Sequence, residues 1–222
     1  MHRLPLVLLA AGALAACAGG DDAAPADRAA AVDSTAPDPA PTPAAAAAWR
    51  ANPADGVTLR QGDTLVVETG PHAVLWREGA EALAPPYTVR ATLHKRMGRL
   101  NEGYGLVFGG TALDGPETGQ AYSYFLVRGD GSWLVKRRDG AQTPIVADWT
   151  RHPAVRRDGD AAGARNELAV HVGADTVAFV VNGDTVTRVP AAALTVRGTA
   201  GLRVAHDVVV AVEQFRAAGD AP

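Results

Sequence analysis

Cysteine is almost absent from this chain: Cys17 is the single one in 222 residues, so no disulfide can close within the chain and no cysteine nucleophile exists beyond position 17. Serine is nearly as scarce. From Trp49 onward only Ser123 and Ser132 occur, and neither stands in the Gly-x-Ser-x-Gly elbow that exposes a hydrolase nucleophile. His72, His94, His152, His171 and His206 show no His-x-x-x-His or His-Glu-x-x-His spacing, so the common zinc motifs are missing. Lysine appears twice, at Lys95 and Lys136, and the formal net charge is −3. Without a broad basic field the chain has no means of gathering nucleic acid, and that partner class is set aside. No phosphate-cradling glycine loop is present either. Gly103, Gly105, Gly109 and Gly110 fall in or beside a strand pattern, where glycine permits close packing or a bulge.

Hydrophobic residues nevertheless make up 47% of the chain, enough for one sizeable core. The first sixteen residues carry Arg3 and then an apolar run from Leu4 to Ala16, the charged and apolar regions of a secretory signal. The run is shorter than the roughly 20 residues that span a bilayer. Leu14-Ala15-Ala16-Cys17 resembles the lipobox of bacterial lipoproteins. That resemblance implies cleavage before Cys17, lipid on its thiol and a membrane anchor in the cell envelope; Ala18 at the next position resembles the pattern sorted to the outer membrane. From Ala18 to Ala48 nearly every residue is Ala, Pro, Asp, Gly, Ser or Thr, too little apolar surface to offset ordering entropy. We expect residues 17–48 to be a disordered tether, about 30 Å long on average, residues 49–217 to form the folded domain, and 218–222 to be a disordered tail.

Beyond Trp49, short runs rich in Val, Leu, Tyr and Thr alternate with Gly, Asp and Pro clusters, which is an all-β pattern. Strands are expected near Val57–Gln61, Thr64–Glu68, Ala73–Arg77, Tyr87–Arg96, Gly103–Gly109, Ala121–Arg128, Ser132–Arg138, Glu167–Val172, Thr176–Val181, Thr185–Val189, Ala200–Ala205 and Val208–Arg216. Asn182-Gly183 suits the positive φ angles of a type I′ turn and predicts a tight hairpin; a second is expected at Gly129-Asp130-Gly131. In Tyr87–His94, alternation places Tyr87, Val89, Ala91 and Leu93 on one face and Thr88, Arg90, Thr92 and His94 on the other. This many strands in so short a domain predicts two packed antiparallel sheets.

Several motifs follow one another in a familiar order: Gly103-Tyr-Gly-Leu-Val-Phe108, Tyr122-Ser-Tyr-Phe-Leu126, Asp130-Gly-Ser-Trp133, Lys136-Arg-Arg-Asp-Gly140, Trp149, Arg165-Asn166-Glu-Leu-Ala-Val170, Val181-Asn-Gly183, Gly198, Gly201-Leu-Arg-Val204 and Val212-Glu-Gln-Phe215. Together they resemble the concanavalin A-like lectin/glucanase superfamily, with laminin-G-like domains and the 3-keto-disaccharide hydrolase type nearest. The resemblance implies a two-sheet jelly-roll sandwich, often with a sugar-binding groove. It does not imply an activity, because one fold hosts many functions. The glucanases of that superfamily carry Glu-x-Asp-x-x-Glu on one strand, and this chain has no such run. Glu213-Gln214 stands where related domains have Asp-Asn, and Glu213 reads as structural.

The remaining candidates for a saccharide groove are Glu102, Tyr104, Tyr122, Tyr124, Arg128, Trp133, Lys136 and Arg138. Aromatic rings stack on the C–H faces of sugars while charged groups bond their hydroxyls. The competing reading makes the rings core and the charges plain surface: alternation groups Tyr104 with Leu106 and Phe108, and separates Trp133 and Val135 from Lys136 and Arg138. Asp114 and Glu117 offer sparse oxygen ligands for a calcium ion. Three functions stay open: a saccharide or envelope-ligand binder without catalysis, a glycoside hydrolase using carboxylates such as Glu102 or Asp130, and a protein-interaction module.

Overall fold

The computed structural model describes residues 47–159 and 163–219. The signal segment, Cys17, the tether as far as Ala46 and the last three residues lie outside the described residues. The strands, in chain order, are β1 (Trp49–Asn52), β2 (Val57–Arg60), β3 (Leu65–Thr69), β4 (Ala73–Arg77), β5 (Tyr87–Met97), β6 (Gly103–Thr111), β7 (Ala121–Arg128), β8 (Ser132–Asp139), β9 (Ile145–Arg151), β10 (Arg165–Val172), β11 (Thr176–Val181), β12 (Asp184–Pro190), β13 (Thr199–Val204) and β14 (Val209–Gly219). They assort into two antiparallel seven-stranded sheets. The first runs β1-β4-β13-β6-β7-β8-β9 and the second β12-β11-β10-β5-β14-β3-β2. The expected two-sheet sandwich is the fold observed.

Period-two alternation builds the core. Tyr87, Val89, Ala91 and Leu93 of β5 are buried, as are Tyr104, Leu106 and Phe108 of β6 and Leu168, Val170 and Val172 of β10. Phe125 of the first sheet meets Phe179 of the second at a ring-centroid distance of 5.1 Å, so aromatic packing crosses the interface between sheets. Asn182 and Gly183 take φ of 50° and 92°, and Val181 pairs with Asp184 across them, which is the expected tight turn. The β7–β8 hairpin turns where Gly129-Asp130-Gly131 predicted, with Arg128 opposite Ser132.

Besides shifts of one or two residues at several strand ends, two strands and one strand end differ from expectation. β1 was not expected, because Trp49 directly follows an alanine run and only four residues pair, opposite β4. β9 was not expected because it is an edge strand whose side chains are mostly exposed, leaving no alternation to read. The last strand runs on to Gly219: a register shift between Glu213 and Arg216, with Gln214 at φ 54°, lets Ala218 and Gly219 rejoin Thr88 and Tyr87 of β5. Ala218 and Gly219, expected in the tail, therefore belong to the last strand.

One charged pair is enclosed. The Lys95 ammonium, 1% exposed, lies 2.8 Å from Asp158 Oδ2 and also donates to the Arg99 carbonyl. Asp158 Oδ1 accepts the Ala164 N–H at 2.8 Å, and the Asp158 N–H donates to Gly129 O at 2.9 Å. Gly129 has room for this arrangement only because it lacks a side chain: a Cβ there would stand 2.0 Å from Asp158 Oδ2. The pair thus ties the segment that leaves β9 to both β5 and the β7–β8 turn.

Candidate functional site

The strand register of the first sheet decides which candidate side chains share a surface. Tyr122 lies opposite Arg138, Tyr124 opposite Lys136 and Leu126 opposite Leu134, all pointing away from the second sheet. On the other side of β7, Val107 faces Tyr124 and Gly105 faces Leu126. β13 adds Arg203, opposite Gly105 on β6 and Val74 on β4. Gly105 must be glycine, because a Cβ would sit 2.0 Å from Phe125 O. It leaves β6 without a side chain between Arg203 and Leu126.

Tyr104 and Trp133 do not belong to this surface. Both are buried between the sheets with Phe108, Phe125 and Val135, since they occupy the opposite phase of their strands. They are corrected from candidate contacts to core. Burial also raises the pKa of the Tyr104 phenol, so it stays protonated. Glu102 sits in the turn before β6 with its N–H on Arg99 O and does not line the cavity that Tyr124 and Lys136 share. Asp130 is used locally: it pairs with Arg128 at 2.8 Å and accepts the Ser132 N–H at 3.0 Å. Burial alone would raise the Asp130 pKa, but these bonds outweigh it and hold the carboxyl below its ordinary range.

Three loops complete the surface. Thr69 Oγ1 donates to Ala205 O at 2.6 Å, the Thr69 N–H donates to Val208 O at 3.0 Å and the Asp207 N–H donates to Gly70 O at 3.2 Å. These bonds clamp the β3–β4 loop to the β13–β14 loop and bring His72 against His206, with Nδ1 and Nε2 3.2 Å apart. The β6–β7 loop is pinned by two side-chain amides. Those of Asn52 and Gln120 each donate to the carbonyls of Leu113 and Gly115, at 2.7 to 3.2 Å, which sets the 3-10 turn Glu117–Gly119. Glu117 Oε1 then meets His72 Nε2 at 2.7 Å, and Oε2 meets Arg138 at 3.4 Å. Arg138 also donates from Nε to the Tyr122 hydroxyl at 3.2 Å.

The proton positions follow from these partners. A carboxylate facing His72 Nε2 requires a proton there, so in neutral His72 Nδ1 is left to accept from His206 Nε2. Burial, then Arg203, pushes the His72 pKa down, and Glu117 offsets only part of this. The bond from His72 in turn holds Glu117 below the usual carboxylate range. Burial raises the Tyr124 phenol, which remains a donor across physiological pH.

At the centre lies a cavity of about 250 Å³ lined by residues including Tyr124, Leu126, Leu134, Lys136, Trp149, Arg203, His72 and His206. Trp149 reaches it because Gly103 is bare: a Cβ at Gly103 would be 3.1 Å from Trp149 Cη2. The Arg128 guanidinium lies 4.3 Å from the Trp149 ring centroid, and that of Arg203 lies 5.8 Å from the Tyr124 ring. Rings, an apolar floor and outward donors therefore meet in one place, in a volume below the about 300–1,000 Å³ that encloses a drug-sized ligand. The cavity suits one ring of a longer molecule. A larger cavity, about 1080 Å³, lies on the outer face of the second sheet, but no Trp, Tyr or Phe lines it.

Of the sequence candidates, the structure brings Tyr122, Tyr124, Arg128, Lys136 and Arg138 together. Sequence reasoning missed His72, Asp148 and His206, and gave no role to Trp149 or Arg203 beyond the motifs that contain them. The two histidines are 134 residues apart, so no spacing rule could pair them. Asp114 and Glu117 diverge: both Glu117 oxygens are engaged by His72 and Arg138, while Asp114 lines a separate cavity at the β1–β4 edge. Among the described residues no three His, Cys, Asp or Glu side chains gather as metal ligands.

No family model and no curated protein matches the chain. Solved structures do. A carbohydrate-binding module of family 66 from Bacillus subtilis aligns at TM-score 0.60 and 10% identity, over 78% of this chain and 96% of its own. The fold is a two-sheet antiparallel jelly-roll sandwich. A Bacillus subtilis protein of unknown function with a galectin-like fold aligns at TM-score 0.58 and 13% identity, covering 76% and 88% of the two chains. An endo-β-1,3-glucanase from Pyrococcus furiosus aligns at 0.50 and 11%, covering 74% and 77%. The jelly roll thus has both a binding module and an enzyme among its structural neighbours.

Proposed function

We propose that this chain is a lipid-anchored protein of the cell envelope whose jelly roll binds saccharide on the outer face of the first sheet, without catalysis. One observation carries the binding reading: the cavity combines two aromatic rings, Tyr124 and Trp149, with the donors of Lys136 and Arg203 on a single sheet face. A pyranose has an apolar C–H face and a rim of hydroxyls, and this surface offers a partner to each. The neighbouring carbohydrate-binding module supports the reading through its fold.

Hydrolysis is the second reading. Both hydrolytic geometries use a pair of carboxylates across the scissile bond. The cavity is lined by one, Asp148, and its Oδ1 accepts the Trp149 N–H at 2.7 Å. That favours binding over cleavage. Anchoring is supported by Leu14-Ala15-Ala16-Cys17; Cys17→Ser should move the protein from the membrane fraction to the soluble fraction, and continued membrane association would refute the lipid.

Thermal unfolding against neutral and acidic plant, algal and cell-wall oligosaccharides tests the binding. A ligand at 100 times its dissociation constant adds about 2.7 kcal/mol to the native state. We expect a saccharide-specific rise in Tm that Trp149→Ala removes, with no new reducing ends. A panel without any shift would overturn the saccharide reading, and release of reducing ends would replace binding by hydrolysis.

A further inference from the structure

The charges around the cavity do not balance, and the imbalance points to a class of ligand. The outer face of the first sheet carries several cations, and most are answered nearby. Arg128 is paired with Asp130 at 2.8 Å, and Arg138 with Glu117 at 3.4 Å. Lys136 and Arg203 are different: among the described residues neither has an ion-pair partner, though both line the cavity. They approach one ring from two sides. Lys136 stands directly across the β7–β8 ladder from Tyr124, and the Arg203 guanidinium lies 5.8 Å from that ring on the β13 side. The single carboxylate of the lining, Asp148, leaves the pair in surplus even with both histidines neutral. The local sign is therefore positive in a chain whose net charge is −3.

A neutral sugar does not need this surplus. Hydroxyls can be bonded by amides and alcohols, whereas a half-buried cation with no carboxylate in direct contact gains most from an anion that can bond it, and Arg203 feels Glu117 only at longer range. The guanidinium fork matches a carboxylate or sulfate in two parallel bonds. Resting on the saccharide reading above, we propose that the sugar bound at this cavity is acidic, its carboxylate or sulfate group received by Lys136 and Arg203 while its ring lies against Tyr124 and Trp149.

Calorimetric titration of the purified protein with two matched pairs tests this: oligogalacturonate against its fully methyl-esterified form, and a carrageenan oligosaccharide against its desulfated form. The acidic member of at least one pair should bind about tenfold or more tightly than its neutral partner, and which pair responds tells carboxylate from sulfate. Lys136→Gln and Arg203→Gln should each weaken the acidic member about tenfold or more and the neutral member by less, so that the acidic preference narrows in both variants. In case either variant is poorly folded, salt provides a second measurement. Raising NaCl from about 0.1 to about 1 M shortens the Debye length from about 10 to about 3 Å and should narrow the preference in the unaltered protein, while a preference that does not change with salt would speak against charge as its cause. Neutral members that bind as tightly as acidic ones, and more weakly in Trp149→Ala, would overturn the acidic preference while the saccharide site stands. If neither acidic probe binds, the inference falls, and the neutral members of the thermal panel then decide whether the saccharide reading falls with it.

Discussion

Replacing Lys95 by Met leaves a carboxylate enclosed without its cation. The ammonium is 1% exposed and 2.8 Å from Asp158 Oδ2, and the Asp158 side chain is 9% exposed, so water cannot simply take the lysine's place. Asp158 keeps one donor, the Ala164 N–H on Oδ1, and the Arg99 carbonyl loses its ammonium partner. Breaking a buried pair on one side costs about 3–5 kcal/mol, a large part of the about 5–15 kcal/mol that holds a domain folded. At about 2–4 °C per kcal/mol for a domain of this size, Tm should fall by about 6–20 °C. The double variant Lys95→Met with Asp158→Leu removes both charges and leaves the Ala164 N–H unpaired, a cost of about 1–3 kcal/mol, so it should be more stable than Lys95→Met alone. Urea unfolding of both variants, followed by tryptophan fluorescence and circular dichroism, gives the two values. A Lys95→Met protein within about 1 kcal/mol of the parent would refute the reasoning, because it would mean that water or a rearranged side chain neutralises Asp158.

Other outcomes follow from single residues. Asn182→Gly keeps the turn but removes the amide that donates to Ala154 O at 2.7 Å and Asn166 Oδ1 at 2.8 Å and accepts the Glu167 N–H at 2.9 Å; it should still cost about 2 kcal/mol in urea unfolding, and a neutral result would assign Asn182 to the turn alone. Because the folded pKa of His72 lies below its ordinary 6.5, the unfolded chain binds more protons between those two values; the contribution of His72 is present above pH 6.5 and is lost as pH falls through the lowered value. Glu117 behaves the same way below its ordinary 4.5. A stability profile from neutral pH to about pH 4 should therefore lose its first decline and part of its second in His72→Asn, and an unchanged profile would contradict the Glu117–His72–His206 chain. Trp149→Ala deletes one ring of the cavity and should weaken saccharide binding about tenfold or more by calorimetry, the equivalent of losing about 1.5 kcal/mol of apolar contact.

The sandwich was readable because its causes are local. Alternation in Tyr87–Leu93 put four side chains on one face, and those four are in the core; Asn182-Gly183 announced its own turn. The same periodicity, applied strictly, already separated Trp133 from Lys136, and the structure puts the first inside and the second on the cavity. What alternation could not supply is contact between strands distant in sequence. Arg203 and Tyr124 meet only because β13 and β7 flank β6. His72 finds His206 through the backbone bonds around Thr69 and Gly70, which no residue type signals in advance. Asn182 shows both cases in one residue. Its turn is written in the sequence, whereas its bonds to Ala154 and Asn166 depend on where the segment after β9 crosses the end of the second sheet.

The central claim is that one sheet face takes a sugar, and amide chemical-shift mapping in an assigned nitrogen-15 spectrum tests it most directly. Titration with the oligosaccharide giving the largest thermal shift should move the backbone amides of Tyr124, Leu126, Leu134, Lys136, Trp149 and Arg203, the residues around the cavity of the first sheet. Shifts concentrated instead at Thr88, Ala169, Ala178 and Thr185, on the outer face of the second sheet, would contradict the account.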